Sequence, residues 1–262
     1  MEVSEDKLLG GRVRLRQPIR GYRAAIDPIL LASAVPAKRE SRVLDLGAGV
    51  GAAALCLAAR VSGCRVDAVE LQPELANIAV NNANLNRLEG RICVHVCDVL
   101  SLPRAFFQKF DHVMANPPFL PADRSAPTGR KNLSTVECGA RLRDWIDAAA
   151  GVLRFKGSLT FIHRADRLDE LLALIRTVAG EIVVAPIWPR EGKPAKRVLV
   201  RARKGVSTPL RLVAGLTLYG NDGGYTATTE SILRCGAPFV FDSDFSYPGE
   251  CAGLAGDDWT ET

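Results

Sequence analysis

The central part of the chain alternates short apolar runs with stretches of helical periodicity, beginning at Arg42. Apolar runs of strand length occupy 43–46, 65–69, 91–97, 111–115 and 158–163, and segments of helical length occupy 52–61, 73–84, 143–153 and 167–179. Strands that alternate with helices in this way predict a doubly wound α/β domain built on a parallel sheet.

Two further apolar runs, 181–188 and 197–202, are separated by a loop of Pro, Gly and Lys, with no helix between them. This pair predicts a hairpin. The predicted fold is therefore Rossmann-like: a doubly wound, seven-stranded, mostly parallel sheet with an antiparallel terminal hairpin. An extra strand over 211–219 and an extra helix over 226–233 follow it.

The first residues have a different pattern. Segment 12–16 alternates Arg with apolar residues, so a strand there would place three guanidinium groups on one face. Asp27 and Pro28 then predict a helix start, with Asp27 as N-cap. We divide the chain into an N-terminal basic arm (1–26), a main α/β domain (27–241) and an acidic tail (242–262) that we expect to be disordered.

Composition supports a globular chain with an ample core, because 47% of the 262 residues are hydrophobic and 24% are charged. No apolar run reaches the roughly 18 residues of a membrane span, and the N-terminus is acidic where a signal peptide would be basic and then apolar. Seven cysteines, an odd number in scattered apolar segments, are expected to be reduced and buried. We therefore expect a cytoplasmic protein.

The net charge of +5 conceals a strong segregation of charge. The last 21 residues hold six acids and no Lys or Arg, so the rest of the chain has 34 cations against 23 acids, a net charge of +11. Blocks 7–23 and 190–204 carry much of that excess, and two such blocks flanking one core favour a nucleic acid partner over a merely solvated surface. The candidate phosphate contacts are Arg12, Arg14, Arg16, Arg190, Lys193, Lys196 and Arg197.

A glycine-rich turn follows the first predicted strand and opens a helix. It reads Asp45-Leu46-Gly47-Ala48-Gly49-Val50-Gly51, and its glycines permit a tight turn that a ligand can approach closely. The same residues satisfy a loose dinucleotide fingerprint, whose downstream acid, here Glu70, holds a ribose. Taken alone, the turn leaves both kinds of cofactor open.

Two acids favour a cationic ligand over a dinucleotide. Asp45 lies within the turn and would repel a pyrophosphate, whereas it suits an ammonium group such as that of S-adenosylmethionine. Asp98, at the end of the third strand, adds a third acid to the sheet edge where open α/β folds bind ligands. We therefore predict S-adenosylmethionine as the cofactor.

Asn116-Pro117-Pro118-Phe119, after the fourth strand, is the most specific motif in the chain. Two prolines stiffen the backbone and remove N–H donors, so the loop offers carbonyl oxygens, an amide oxygen and an aromatic ring. Asn116 and the Pro117 carbonyl would accept hydrogen bonds from an amino group, while Phe119 stacks on the ring that carries it. These three residues are the catalytic candidates.

Together these motifs resemble class I S-adenosylmethionine-dependent methyltransferases of the amino-methylating branch, over roughly residues 8–241. Within that branch, the chain is most similar to the bacterial tRNA (adenine-N6)-methyltransferases that act on valine tRNA. The motif also occurs in enzymes that methylate a protein glutamine amide or guanine N2. Phe119 replaces the Tyr of many relatives, and the acidic tail is outside the family pattern.

The resemblance implies a role for each matching residue. Asp45, Gly47 and Gly49 would hold the methionine part of the cofactor, Glu70 its ribose hydroxyls and Asp98 its adenine amine. Ala48, Leu71 and Val99 are further cofactor-binding candidates. Asp27 would lie beside the cofactor, as would Asn116, and the basic blocks would hold RNA phosphates, which position the substrate without specifying it.

Other groups of residues give weaker evidence for a functional site. Cys93, His95 and Cys97 share one face of the third strand, but a fourth ligand at usable spacing is missing, so we predict no metal site. His163 is interpreted as structural, since this methyl transfer needs no strong base. A protein amide or small-molecule substrate, a non-catalytic RNA-binding module and an NAD-dependent dehydrogenase are the alternatives, and the oligomeric state is left open.

Overall fold

A computed structural model describes residues 1–21, 23–119 and 139–241. The central helices and strands follow the predicted alternation closely. They are β3 (Arg42–Leu46), α2 (Ala52–Arg60), β4 (Arg65–Glu70), α3 (Pro73–Leu85), β5 (Ile92–Val96) and β6 (Phe110–Ala115), preceded by β1 (Val3–Leu8), β2 (Val13–Pro18) and α1 (Asp27–Ala34). Strands β3 to β6 are parallel to their neighbours.

The second half of the chain completes the sheet. Its elements are α4 (Leu142–Val152), β7 (Leu153–Arg164), α5 (Leu168–Ile175), β8 (Ala179–Trp188), β9 (Arg197–Lys204), β10 (Arg211–Leu212), β11 (Leu216–Thr217) and α6 (Ala227–Cys235). The strand order is β10-β8-β9-β7-β6-β3-β4-β5, with β11 also paired to β8. Strand β9 is antiparallel to both β7 and β8, which confirms the predicted fold class and its terminal hairpin.

The extra strand predicted over 211–219 is wrong in detail. Two short strands, β10 and β11, replace it, and both run parallel to β8. Gly215 lies between them with φ +82°, and a Cβ there would meet the Pro186 carbonyl oxygen at 1.9 Å. The backbone passes so close to β8 that a continuous strand is interrupted. The sheet therefore has nine strands among the described residues instead of seven.

Two predicted boundaries also shift because of tertiary pairing. Strand β7 begins at Leu153, which pairs with Phe110 of β6, whereas the apolar pattern placed its start at 158. Helix α5 ends at Ile175 instead of 179, because Ala179 and Gly180 pair with the end of β9.

The N-terminal segment is a β-hairpin of β1 and β2. Val13 and Leu15 are fully buried, while the alternating arginines of β2 face outward as expected. Two asparagines hold β2 to α3. Asn82 accepts a hydrogen bond from the Arg16 N–H and donates one to the Arg16 carbonyl oxygen, and Asn86 makes the same two bonds with Arg14, all at 2.7–2.8 Å. Strand β1 was not predicted, because its polar residues give no apolar alternation.

Buried side chains form two clusters, one on each face of the sheet. One cluster includes α1, α2 and β2, and the other includes α4, α5 and Phe110. None of the helices in the described part of the chain has the length and apolarity to cross a membrane. The predicted acidic tail, 242–262, lies outside the described residues.

The cysteines only partly follow the expectation of buried thiols. Cys56 and Cys64 are free and buried, whereas Cys93 is free but exposed, and Cys97 is half-buried. Cys235 is disulfide-bonded, which corrects the expectation for that residue. Cys138 and Cys251 lie outside the described residues.

Candidate active site

One cleft gathers the predicted cofactor residues at the carboxyl ends of β3, β4 and β6. Its cavity has a volume of about 270 Å³. The lining includes Asp45, Gly47, Ala48, Gly49, Glu70, Leu71, Asp98, Val99, Asn116, Pro117 and Phe119. Parallel strands place their C-terminal loops at a common edge, which explains why residues up to 74 positions apart meet there.

The glycine turn adopts a conformation that other residues would resist. Gly47, Gly49 and Gly51 have φ of +69°, +57° and +85°. A Cβ on Gly47 would also lie 2.5 Å from the indole of Trp145, so α4 packs directly against the turn. Gly47, Ala48 and Gly49 line the cavity, where a ligand can approach their backbone closely.

Glu70 braces this turn from the end of β4. It is 6% exposed, and its two carboxylate oxygens accept hydrogen bonds from the N–H groups of Gly49 and Gln72, both at 2.9 Å. The carboxylate is therefore fixed in place at the cavity wall. This position suits the ribose contact that the family resemblance implies.

Asp45 is a buried acid in an unusual protonation state. Burial raises the pKa of its carboxyl to about 8, and the charge of Glu70 adds to the rise, while a backbone hydrogen bond with Ala54 opposes it. Its Oδ2 has no hydrogen-bond partner among the described residues. A cationic ligand group at this point would stabilise the ionised form and satisfy that oxygen.

Asp98 lines the cavity and lies two residues after the end of β5. Its carboxylate accepts a hydrogen bond from the Leu100 N–H at 2.9 Å and so caps a short 3₁₀ turn that contains Val99. Leu71 is 52% exposed and offers an apolar surface in the same lining. Asp98 offers a carboxylate and Leu71 an apolar surface, a combination that can hold a planar base.

Phe119 is clamped by side chains from two other elements. The guanidinium of Arg197 lies over its ring at 4.6 Å from the centroid, and the edge of His163 meets it at 5.6 Å between centroids. Arg167 also donates a hydrogen bond from Nη1 to the Phe119 carbonyl oxygen at 3.3 Å. These contacts fix the orientation of the ring beside Asn116 and Pro117. Residues 120–138, which follow the motif, are outside the described part of the chain.

Asp27 departs from its prediction as helix N-cap. Helix α1 begins at Asp27 itself, with Ile26 before it, and no side chain caps the helix. The Asp27 carboxylate instead accepts a hydrogen bond from Arg197 Nε at 3.0 Å. Pro28 and Leu31 line the cavity, whereas Asp27 is not among the lining residues. The ion pair therefore explains Asp27 better than a cofactor contact does.

His163 is fully buried beside Phe119. Burial lowers its pKa to about 4, and the nearby charge of Arg167 lowers it further, so the ring is neutral at pH 7. A neutral ring packed edge-on against Phe119 agrees with the structural interpretation of this residue.

The two basic blocks differ in how their charges are used. In the N-terminal block, Arg14 and Arg16 both pair with Glu5 of β1, at 2.7 and 3.3 Å. Arg12 donates to the Cys235 carbonyl oxygen at 2.6 Å. All three of the predicted phosphate contacts in this block therefore have intramolecular partners.

The block at 190–197 lies at the active edge. Arg197 opens β9 opposite Arg164, the last residue of β7, so the β8–β9 loop lies beside the cleft. Arg190, Lys193 and Lys196 of this loop are exposed. Two members of this block make intramolecular contacts. The guanidinium of Arg197 contacts Asp27 and Phe119, and that of Arg190 lies over the Tyr219 ring at 5.9 Å from the centroid.

Sequence reasoning missed several residues of the cleft. Pro18, Arg20 and Gly21 of the N-terminal segment line the cavity, as does Trp145 of α4. Arg20 belongs to the basic block at 7–23, but no motif marks it as a cavity residue. Only the packing of the hairpin against α3 brings it there.

Comparisons with known proteins bear on this site. The family model described as the methyltransferase small domain matches residues 26–173. A tRNA1(Val) (adenine(37)-N6)-methyltransferase of Actinobacillus pleuropneumoniae is 29% identical over 210 residues, which cover 79% of this chain and 87% of that protein. An enzyme of the same name from Aeromonas hydrophila is 28% identical, covering 81% and 88%.

Solved structures agree on the architecture. A predicted O-methyltransferase from Agrobacterium tumefaciens has a TM-score of 0.69 and 29% identity, covering 81% of this chain and 98% of that one. A tRNA (m1A58) methyltransferase from Aquifex aeolicus has a TM-score of 0.53 at 18% identity, covering 73% of each chain, and so supports the fold alone.

Proposed function

The chain belongs to the methyltransferase small domain family, and from that premise we propose that it transfers a methyl group from S-adenosylmethionine to the N6 amine of an adenine in tRNA. The observation that carries the proposal is the meeting of two motifs in one cavity. The glycine turn, the acids Asp45, Glu70 and Asp98, and the Asn116–Phe119 loop all line the same cleft.

The residues of the cleft fit this cofactor. The buried Asp45 carboxyl, with its unpartnered Oδ2, is suited to the ammonium of the methionine moiety. Glu70 would hold the ribose hydroxyls, and Asp98 the amine of the cofactor adenine. When bound, S-adenosylmethionine supplies an electrophilic methyl group on a sulfonium.

The acceptor half of the cleft would orient the substrate amine. Asn116 and the Pro117 carbonyl accept hydrogen bonds from N6, which favours a geometry in which its lone pair can attack. Phe119, held by Arg197 and His163, supports the adenine ring by stacking. The rate enhancement then comes mainly from alignment.

The exposed cations of the β8–β9 loop support an RNA substrate. Arg190, Lys193 and Lys196 stand at the edge from which a flipped or splayed base would enter the cleft. They would contact phosphates and position the RNA without reading its sequence. The relatives named as tRNA1(Val) methyltransferases point to the same class of substrate.

A protein glutamine amide, guanine N2 or a small molecule is the alternative acceptor, because the Asn116–Phe119 loop would fit each of these. These substrates make different predictions. Methylation of a protein or small molecule would be insensitive to RNase and would depend little on salt, whereas an RNA contact made by several cations weakens strongly with salt.

The test is incubation with labelled S-adenosylmethionine and total tRNA, followed by nucleoside analysis. We expect the label in N6-methyladenosine, and Asn116→Ala should abolish it while cofactor affinity by calorimetry stays within about tenfold, or about 1.4 kcal/mol. Label in another nucleoside or in protein would overturn the substrate assignment. Equal loss of transfer and of cofactor binding would overturn the role of Asn116.

A further inference from the structure

Three side chains with metal-ligating atoms meet on the sheet well away from the Asn116–Phe119 loop. Asp67 of β4 lies opposite Cys93 of the edge strand β5, and His95 follows two residues later on the same face. One ligand atom from each residue, a carboxylate oxygen, a sulfur and a ring nitrogen, lies within 4.8 Å of the others. The cluster joins strands that are 26 residues or more apart in sequence.

The cluster is already partly organised. His95 Nε2 lies 2.8 Å from Asp67 Oδ1, and the two side chains are 29% and 16% exposed. Cys93 is exposed, so the third ligand faces solvent. Arg42 approaches the other carboxylate oxygen, Oδ2, at 3.7 Å and leaves Oδ1 to the cluster.

We propose that Asp67, Cys93 and His95 form a zinc site, with water as the fourth ligand. Zinc binds sulfur at about 2.3 Å, and imidazole nitrogen and carboxylate oxygen at about 2.0–2.2 Å. Around one tetrahedral ion, such ligands stand about 3.2–3.7 Å from one another, so the three atoms need only small side-chain rotations. The mixed sulfur, nitrogen and oxygen set favours zinc over the hard cations magnesium and calcium.

Charge and proton balance are consistent with this ion. A cysteine sulfur coordinates zinc as the thiolate. Binding forms a zinc–sulfur bond and releases the thiol proton to solvent. His95 binds as the neutral imidazole with its proton on Nδ1, so the contact between Nε2 and Asp67 Oδ1 is exchanged for a bond from each of these atoms to zinc. One thiolate and one carboxylate then neutralise the divalent ion.

Cys97, the residue directly after β5, is not part of this cluster. Its Sγ donates to the carbonyl oxygens of Asp98 and Ser101, at 3.3 and 3.4 Å. The sequence analysis set aside a grouping of Cys93, His95 and Cys97 and predicted no metal site, whereas strand pairing brings Asp67 to Cys93 and His95. Asp67 replaces Cys97, and the ion would tie the edge strand β5 to β4.

Titration of the tag-free, metal-stripped full chain with Co²⁺ tests the proposal, since Co²⁺ replaces zinc and reports thiolate ligation by charge-transfer absorption. We expect this absorption to saturate at one ion per chain and to disappear on addition of Zn²⁺. Cys93→Ser should abolish it, and Cys97→Ser, the matched control directly after β5, should retain it. Absence of the absorption in the unmodified chain would overturn the proposal.

Zinc affinity, measured by competition with a chromophoric chelator, gives a second criterion. His95→Gln and Cys93→Ser should each weaken binding by more than the roughly 10–100-fold typical of losing an outer-shell partner. Zinc should also raise the melting temperature of the unmodified chain and leave that of Cys93→Ser unchanged. Equal affinity in Cys93→Ser and the unmodified chain would count against the site, and none of these readouts depends on methyl transfer.

Discussion

The two halves of the cleft are built in different ways. The cofactor half is local: Asp45, Gly47 and Gly49 belong to one strand and turn, and Glu70 ends the next strand and bonds back to Gly49. The acceptor half is assembled from distant segments, since Phe119 is held by Arg197 from β9 and Arg197 by Asp27 from α1. A motif of adjacent residues can be recognised in a sequence, whereas the contacts that hold the Phe119 ring cannot be predicted from it.

The largest expected effect concerns Asp45 in the cofactor half. Its folded pKa, about 8, lies above the unfolded value of about 3.9, so the folded chain holds a proton that the unfolded chain loses between those values. Its contribution to stability is therefore present below about pH 4 and is lost as the pH rises toward 8, by up to about 1.4 kcal/mol per pH unit.

Denaturant unfolding of the ligand-free chain from pH 5 to 7.5 measures this effect, with Asp45→Asn as the matched variant. The unmodified chain should lose more stability than Asp45→Asn as the pH rises, because the amide does not titrate. Parallel pH dependences for the two chains would show that Asp45 is already ionised in the ligand-free folded chain, which would contradict the raised pKa of its carboxyl.

An intermediate effect is expected for Phe119→Ala in the acceptor half. Stacking of a base on an aromatic side chain contributes about 1–3 kcal/mol, so kcat/KM for tRNA should fall by about 5-fold to 150-fold. Affinity for S-adenosylhomocysteine, measured by calorimetry, should change little. Phe119→Tyr is the control and should retain most activity, and a large loss of cofactor affinity in Phe119→Ala would mean that the two halves are not separable.

A smaller effect is expected for Arg197→Met, which removes both the stacked guanidinium and the ion pair with Asp27. A cation–π contact and a half-buried ion pair contribute about 1 kcal/mol each, so kcat/KM should fall by about 5-fold to 30-fold. Because Arg197 is half-buried, the salt dependence of kcat/KM should be nearly unchanged.

The exposed Lys196 gives the matched control and the smallest effect. Lys196→Met should weaken RNA binding modestly and lower the slope of log affinity against log salt by about one. If Arg197→Met lowered that slope by the same amount, Arg197 would contact phosphate, as the sequence analysis first predicted, and would not act as a support for Phe119.

The sequence predictions are accurate where an element depends on residues close together along the chain, and inaccurate where it depends on contacts between distant residues. The alternation around Val43 to Ala115 predicted the parallel strands, because burial on both faces makes each strand apolar. Strand β1 was not predicted, because it forms through pairing with β2 and its own sequence has no strand pattern. The local sequence favoured one strand over 211–219, but that segment is interrupted at Gly215, where the backbone closely approaches Pro186.

By itself, the sequence determined the parallel strands β3 to β6, the glycine turn and the Asn116–Phe119 loop, because the pattern of each lies in residues adjacent along the chain. Tertiary structure alone decided that Arg197 faces Phe119 and Asp27, that Arg14 and Arg16 pair with Glu5, and that Asp67 joins Cys93 and His95. The physical reason is that hydrogen bonds and ion pairs form between atoms a few ångströms apart, and strand pairing decides which distant residues reach that distance.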